Sequence, residues 1–284
     1  PLAELHNLEV MMINRNEFET WEAKKLKIFA QFKSQTDGQE IIIDERRDRD
    51  TDRVIRLGKG KSRMDQLEFK SKAGSSSSRA QQMITAQEFT NQLERLDKEL
   101  KKFWEKEDKV ACIRIAIQCA KLLNDVASPV FYPQKFILLT DILDHFGTLV
   151  YGRMKKLTKL HSGGKIIIDD DMNEQNFDFT LIPDKVQEIC MNWFLKSACI
   201  REVLPRIYLE LCLVQCHKFM QRRVQQSDLL RLSKMVRGIA EPLCACYTAA
   251  YLARVGYSID PEAKDYLIIL TDFSFKITEK AVKE

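Results

Sequence analysis

From Thr85 onward, apolar residues recur with the 3.6-residue period of helices lying on a core, and helix punctuation falls at regular intervals. "TAQE" opens the first helix as a capping box, with Thr85 accepting from the first free N–H groups and Glu88 reaching back. Phe89, Leu93, Leu96, Leu100 and Phe103 then share one face. A second helix is predicted over about 108–124, with Val110, Ile113, Ile117 and Ala120 inward. A third begins at "YPQKF" and runs through "ILLTDILDHFGTLVYGRM". Pro133, Pro183, Pro205, Pro242 and Pro261 each stand before an apolar-periodic run, where a missing N–H costs nothing. Ser227 and Asp260 read as further N-caps. "HSGGKIIIDDDMNEQNFDFTLIP" reads as an acidic loop between helices. The sum is about eight helices joined by short turns, several apolar over a wide arc, as in "NWFLKSACI" and "YLELCLVQC". A helix of that kind packs between neighbours on both sides, which a stack of antiparallel, HEAT-like pairs provides and a four-helix bundle provides poorly. The predicted class is therefore all-α, an α-solenoid over 84–284.

Residues 1–83 carry a different pattern. The mixed-charge run "IDERRDRDTDRVIRLGKGKSRMD" and the serine-rich "SKAGSSSSRAQQ" hold too little apolar surface to fold alone, so the arm is predicted to be largely disordered. Within it, "FETWEAKKLKIFAQF" places Phe18, Trp21, Lys25, Ile28, Phe29 and Phe32 on roughly one side of a short amphipathic helix near 18–32. Phe18, Trp21 and Phe29 are its candidate docking residues. "GQEIIID" is a short strand-like run.

Composition narrows the function classes. The 284 residues are 45% hydrophobic, enough for one large or two modest cores, and Lys+Arg 45 against Asp+Glu 41 leaves a charge of +4, too balanced to mark a nucleic-acid binder by itself. No uninterrupted apolar run reaches a membrane-spanning length, and no signal-peptide pattern opens the chain. Starting at Pro1 and ending in a charged tail, the sequence reads as a fragment. Cys112, Cys119, Cys190, Cys199, Cys212, Cys216, Cys244 and Cys246 all lie in helix-patterned apolar stretches, where free cysteine packs as a small hydrophobe; reduced thiols are expected. The competing metal reading uses Cys212, Cys216 and His217 with Cys244 and Cys246. It fails on spacing, because His217 is rotated away from the face that Cys212 and Cys216 share, so no metal or other cofactor is expected.

Catalytic signals are poor. His6, His145, His161 and His217 are scattered, and "GKGKS" at 58–62 lacks the spacing and preceding strand of a phosphate loop. Asp141 and Asp144 in "TDILDH", with His145 beside them, read as helix carboxylates that are solvated or pair with a neighbouring helix's Lys or Arg. Nothing here predicts an enzyme. The basic runs "QRRVQQ" and "MKKLTK" have no interleaved aromatics for base stacking. A helical domain touching acidic lipid or nucleic acid through them stands as the alternative, with salt-dependent binding as its mark. The sharpest feature is "IREVLPRIYLEL" at 200–211, where Pro205 and Arg206 interrupt a long apolar stretch. Pro205 starts a helix in this reading. Arg206 either bridges to Glu202 or Glu241 or anchors a protein interface beside Tyr208, both near the edge of the stack.

"LPRIYL" (204–209) and "MVRGIAEPLCACYTAAYL" (235–252) resemble the N-terminal region of the retromer α-solenoid scaffold. "IQCAKLLNDVASPVFYPQKFILLTDILDHFGTLVYGR" (117–153) and "NWFLKSACIREVLPRIYLE" (192–210) are still more similar to its paralogue, the large α-solenoid subunit of the retriever complex. The likeness covers about 85–260, with "EFETWEAKKLKIFAQF" resembling part of that subunit's N-terminal extension. It implies a scaffold for endosomal cargo recycling, cytoplasmic and recruited indirectly to endosome membranes. It implies that Pro205, Arg206, Ile207, Tyr208 and Leu209 dock an arrestin-fold subunit. A metallophosphoesterase-fold subunit would bind a distal part of the solenoid, and a coiled-coil/COMMD assembly and a sorting-nexin cargo adaptor are further implied partners; nucleic acid is not. The N-terminal arm would lie along that distal region, whose absence here would deprive it of its surface. The acidic stretch 163–181 departs from the family pattern.

Overall fold

The structure is a computed structural model that describes residues 19–36, 40–44, 81–161, 182–220, 226–261 and 263–283. Helix α1 spans Trp21–Thr36, strand β1 Glu40–Asp44 and strand β2 Gln81–Thr85. They are followed by α2 (Ala86–Glu105), α3 (Lys109–Leu122), a 3-10 turn (Pro129–Phe131), α4 (Tyr132–His161) and α5 (Asp184–Ala198). Helix α6 (Val203–Leu213) runs on into a 3-10 segment (Val214–Met220), and α7 (Gln226–Val236), α8 (Pro242–Ile259) and α9 (Asp265–Lys283) complete the order.

The predicted capping box is formed: Thr85 Oγ1 accepts from Glu88 N at 3.2 Å, and Thr85 N donates to Glu88 Oε2 at 3.1 Å. Two orphan donors of the first turn are thereby satisfied reciprocally. Asp108 caps α3 by accepting from Ala111 N at 3.0 Å. The turn between α2 and α3 is made by Glu107 at φ 61, which carries the chain through the left-handed region.

Helices adjacent in sequence pack as neighbours, α2 on α3, α3 on α4, α7 on α8 and α8 on α9, while α6 touches α3, α4, α5, α7 and α8. This is the all-α solenoid that the wide apolar arcs predicted. One detail is added: β1 and β2 pair as an antiparallel two-stranded ribbon with Glu40 opposite Thr85, so "GQEIIID" does supply a strand. The ribbon straddles the expected boundary at 83/84. Expected disorder over the rest of the arm, the acidic stretch 163–181 and "GKGKS" lie outside the described residues, as do Arg222 and Arg223 of "QRRVQQ".

Several finer expectations are corrected. The inward face assigned to α3 was too narrow: Val110 is exposed, whereas Cys112, Ile115, Ala116 and Cys119 join Ile113 and Ala120 in the core because the helix has neighbours on several sides. Pro183 is the N-cap of α5 rather than its first residue. Asp260 closes α8, its N–H donating to Gly256 O at 2.9 Å, and α9 starts only at Asp265, so neither Asp260 nor Pro261 opens it. Ser227 is the second residue of α7. Close approach of α4 to α6 is set by Gly147, where a Cβ would lie 2.1 Å from the Cys212 carbonyl oxygen.

Candidate partner-docking site

The site is built on α6. Its first intrahelical bond runs from Arg206 N to Glu202 O at 3.3 Å, so Val203, Leu204 and Pro205 form the turn whose N–H groups have no helical acceptor. Proline is tolerated at such a position, and its fixed φ suits the helix. Pro205 thus lies inside the first turn, two residues beyond the helix start, and the turn before the helix is made by residues 199–202.

The five motif residues divide sharply. Ile207, Tyr208 and Leu209 are 0% exposed and Pro205 is buried. Tyr208 packs its ring 5.0 Å from that of Tyr251 and shares a 3.3 Å hydroxyl–hydroxyl hydrogen bond with Thr248. Burial pushes its phenol above the usual tyrosine range. The expectation that Tyr208 stands at the edge of the stack is therefore corrected. Five neighbouring helices leave α6 little outer face, and Tyr208 points into the core between α6 and α8.

Arg206 does reach the edge. Its side chain is 35% exposed, and its Nε donates to Glu210 Oε1 at 2.7 Å. Arg231 of α7 donates from Nη2 to Glu210 Oε2 at 2.6 Å. Two guanidinium groups therefore share one nearly buried carboxylate, leaving a net positive edge with N–H donors to spare. Neither expected bridge forms: Glu202 pairs with Lys121 at 3.5 Å, and Glu241 caps α8 by accepting from Leu243 N at 3.4 Å. Val203, three residues before Arg206 and hence on the same side of α6, is an exposed apolar residue beside it. Chemically, this edge can receive a carboxylate or backbone carbonyls against the guanidinium pair and an apolar group against Val203. The Glu210–Arg231 half was not foreseen; the i, i+4 spacing of Arg206 and Glu210 was its one sequence signal.

Of the arm candidates, Trp21 and Phe29 pack their half-buried rings on the core, together with Ile28, while Phe18 lies outside the described residues. Helix α1 rests on α4 and on the Pro129–Phe131 turn, so for this helix the expected lack of a docking surface is corrected. Lys25 meets both Asp141 oxygens at 2.9 Å. Burial opposes the Lys25 charge, but the hydrogen bond to Asp141 and its negative charge outweigh it and hold the ammonium above the usual lysine range. Asp144 accepts from Tyr251 Oη at 2.8 Å and from Arg254 Nη2 at 2.6 Å, and His145 Nδ1 lies 2.7 Å from Asp97 Oδ1. Asp141 and Asp144 are thus interhelical ion-pair partners, and His145 is hydrogen-bonded to a carboxylate of α2.

The cysteines carry no disulfide, and among the described residues no three His, Cys, Asp or Glu side chains come together as a metal-ligand set. Cys212 donates to Leu209 O at 3.3 Å and Cys190 to Cys216 O at 3.0 Å, while the His217 ring packs on Phe194 at 4.2 Å. Burial pushes the Cys119 and Cys190 thiols up to about 12, far from a reactive thiolate. In "MKKLTK", Met154 and Thr158 are buried and Lys156 and Lys159 are exposed, the pattern of a solvated helix face. Among the described residues no helix is long and apolar enough to cross a membrane.

A helical solenoid whose outer edge offers both charge and apolar surface has the form of an interaction scaffold. The chain belongs to the VPS35L family: the model of that family's N-terminal domain matches residues 20–284. It is 36% identical over 256 residues to the VPS35 endosomal protein-sorting factor-like protein of Danio rerio, covering 88% of this chain and 25% of that protein. Its counterpart in Rattus norvegicus is 40% identical over 199 residues, covering 70% of this chain and 20% of the relative. The Dictyostelium discoideum protein of the same description is 40% identical over 196 residues, covering 68% and 18%. The chain thus spans a quarter or less of the length of these relatives.

Proposed function

We propose that this chain is a non-enzymatic scaffold segment of an endosomal cargo-recycling complex of the retriever type, acting in the cytoplasm at endosome membranes. The observation that carries the reading is the family match over 20–284. In this reading an arrestin-fold subunit docks on the edge of α6. Arg206, with Arg231 beside it, supplies the contact, while Ile207, Tyr208 and Leu209 hold the helix in its place in the stack. The motif thus works as an anchor and its mounting rather than as five contact residues. A metallophosphoesterase-fold subunit would engage a distal part of longer family members, and a coiled-coil/COMMD assembly and a sorting-nexin adaptor would complete the complex.

The test is Arg206→Ala in the intact chain, with affinity for an arrestin-fold subunit measured beside thermal melting. Truncating a well-packed interfacial arginine commonly costs about 2–4 kcal/mol, or roughly thirty- to a thousandfold in affinity. Glu210 keeps Arg231 in the variant, so its nearly buried carboxylate is not left without a cationic partner. Affinity should fall at least about tenfold with melting almost unchanged. Unaltered affinity with a clearly lower melt would reject docking through Arg206 and make it an internal ion-pair residue.

A further inference from the structure

Helix α1 differs from the other described helices in how it is held. Trp21, Lys25, Ile28, Phe29 and Phe32 form its inward stripe at i, i+4, i+7, i+8 and i+11, and each is only half-buried. By contrast α6 buries Leu204, Ile207, Tyr208, Leu209 and Leu211 almost completely. An element with few fully buried contacts opens at a lower free energy than the core does.

What fixes α1 is instead specific and polar. Lys25 is clamped by Asp141 of α4. The Trp21 ring lies 5.0 Å from the Arg254 guanidinium of α8, which also lies 4.9 Å from the Tyr251 ring and is oriented by its bond to Asp144. Residues from α4 and α8 therefore form an acidic and aromatic seat that reads an aromatic residue and a cation one helical turn apart. The strand β1, three residues beyond α1, is paired to β2 at the mouth of α2. A displaced α1 would stay tethered there and compete at high effective concentration.

We propose that this seat on α4, α8 and the Pro129–Phe131 turn is a helix-docking site, filled in cis by α1 and yielded to a partner's amphipathic helix of the same chemistry. That partner helix carries an aromatic residue, a lysine or arginine one turn later, and an apolar pair one turn beyond. Its positive charge complements Asp141, and its aromatic ring takes the place of Trp21 on Arg254.

The test uses the full chain and a labelled peptide of sequence Trp21–Thr36. Hydrogen exchange of α1 should be at least tenfold faster than that of α6, reporting separate opening. The peptide should bind a Trp21→Ala/Lys25→Ala chain at least about tenfold more tightly than the wild-type chain, because its competitor in cis is weakened. Adding Asp141→Lys to that variant should reverse the gain, and a peptide carrying Lys25→Glu should restore it. Exchange of α1 only at the rate of α6 would overturn the proposal, making α1 part of the core. Equal peptide binding by all chains, or failure of the charge-reversed peptide to restore binding, would overturn the docking site.

Discussion

Among the described glycines, Gly147 has the tightest surroundings. A Cβ there would lie 2.1 Å from the Cys212 carbonyl oxygen and 3.0 Å from its carbonyl carbon. Carbon–oxygen contacts between helices settle near about 3.4 Å, so α4 and α6 would have to part by roughly 1 Å. The obstacle is backbone and cannot turn aside. Overpacking of this kind costs about 1–3 kcal/mol, and this contact belongs at the upper end. Alanine recovers about 1 kcal/mol of helix propensity over glycine, leaving a net loss of about 2 kcal/mol. For a chain of this size that is a melting temperature lower by roughly 4–8 °C. Gly152 is the control in the same helix. A Cβ there meets nothing within 4 Å, so Gly152→Ala keeps the propensity gain and should melt higher by roughly 2–4 °C. Urea unfolding and thermal melts followed by circular dichroism would measure both. If Gly147→Ala were as stable as the wild type, the argument that this glycine sets the α4–α6 approach would be refuted.

Lys135 and Asp125 are side chains only 5% and 8% exposed, joined at 2.7 Å, with Lys135 also donating to Asp125 O at 2.8 Å. Lys135→Met should lower unfolding stability by about 3 kcal/mol in urea titration, because the Asp125 carboxylate, still accepting from Ala127 N, is left buried without its counter-charge. Burial tends to raise the Asp97 carboxyl, but hydrogen bonds from Lys101 and His145 outweigh it and hold it below the usual carboxylate range. A carboxylate depressed in the folded state stabilises above its unfolded value and loses that contribution as pH falls through the folded one. Asp97→Asn should therefore cost about 0.5 kcal/mol at pH 7, with the difference from wild type shrinking below about pH 4 in parallel urea titrations.

Sequence reasoning reached the helices whose ends are signed by local chemistry. Thr85 with Glu88, and Asp108 before its apolar run, are caps that act within one turn, so their effect is written in adjacent residues. Asp260 shows the limit of that method. The same side chain suits the start of one helix and the end of another, and only the long gap to α9 decides between them. The candidate site was legible as a motif but not as a position. Periodicity locates a helix's inner face only when the helix has an outer one, and α6 lies among five neighbours. Tyr208 and Arg206 are two residues apart and both suit an interface; a partner on α8 draws one inward, and the shared Glu210 holds the other at the edge. Arg231 lies 21 residues beyond Glu210, and no local rule joins positions so far apart. The pairing of Lys25 with Asp141 was still harder to foresee, since it spans 116 residues and a stretch whose composition argues against folding. Neither ion pair makes its helix form. They fix where α1 and α6 sit against their neighbours, so what the sequence withheld is mostly what determines which surfaces a partner can reach.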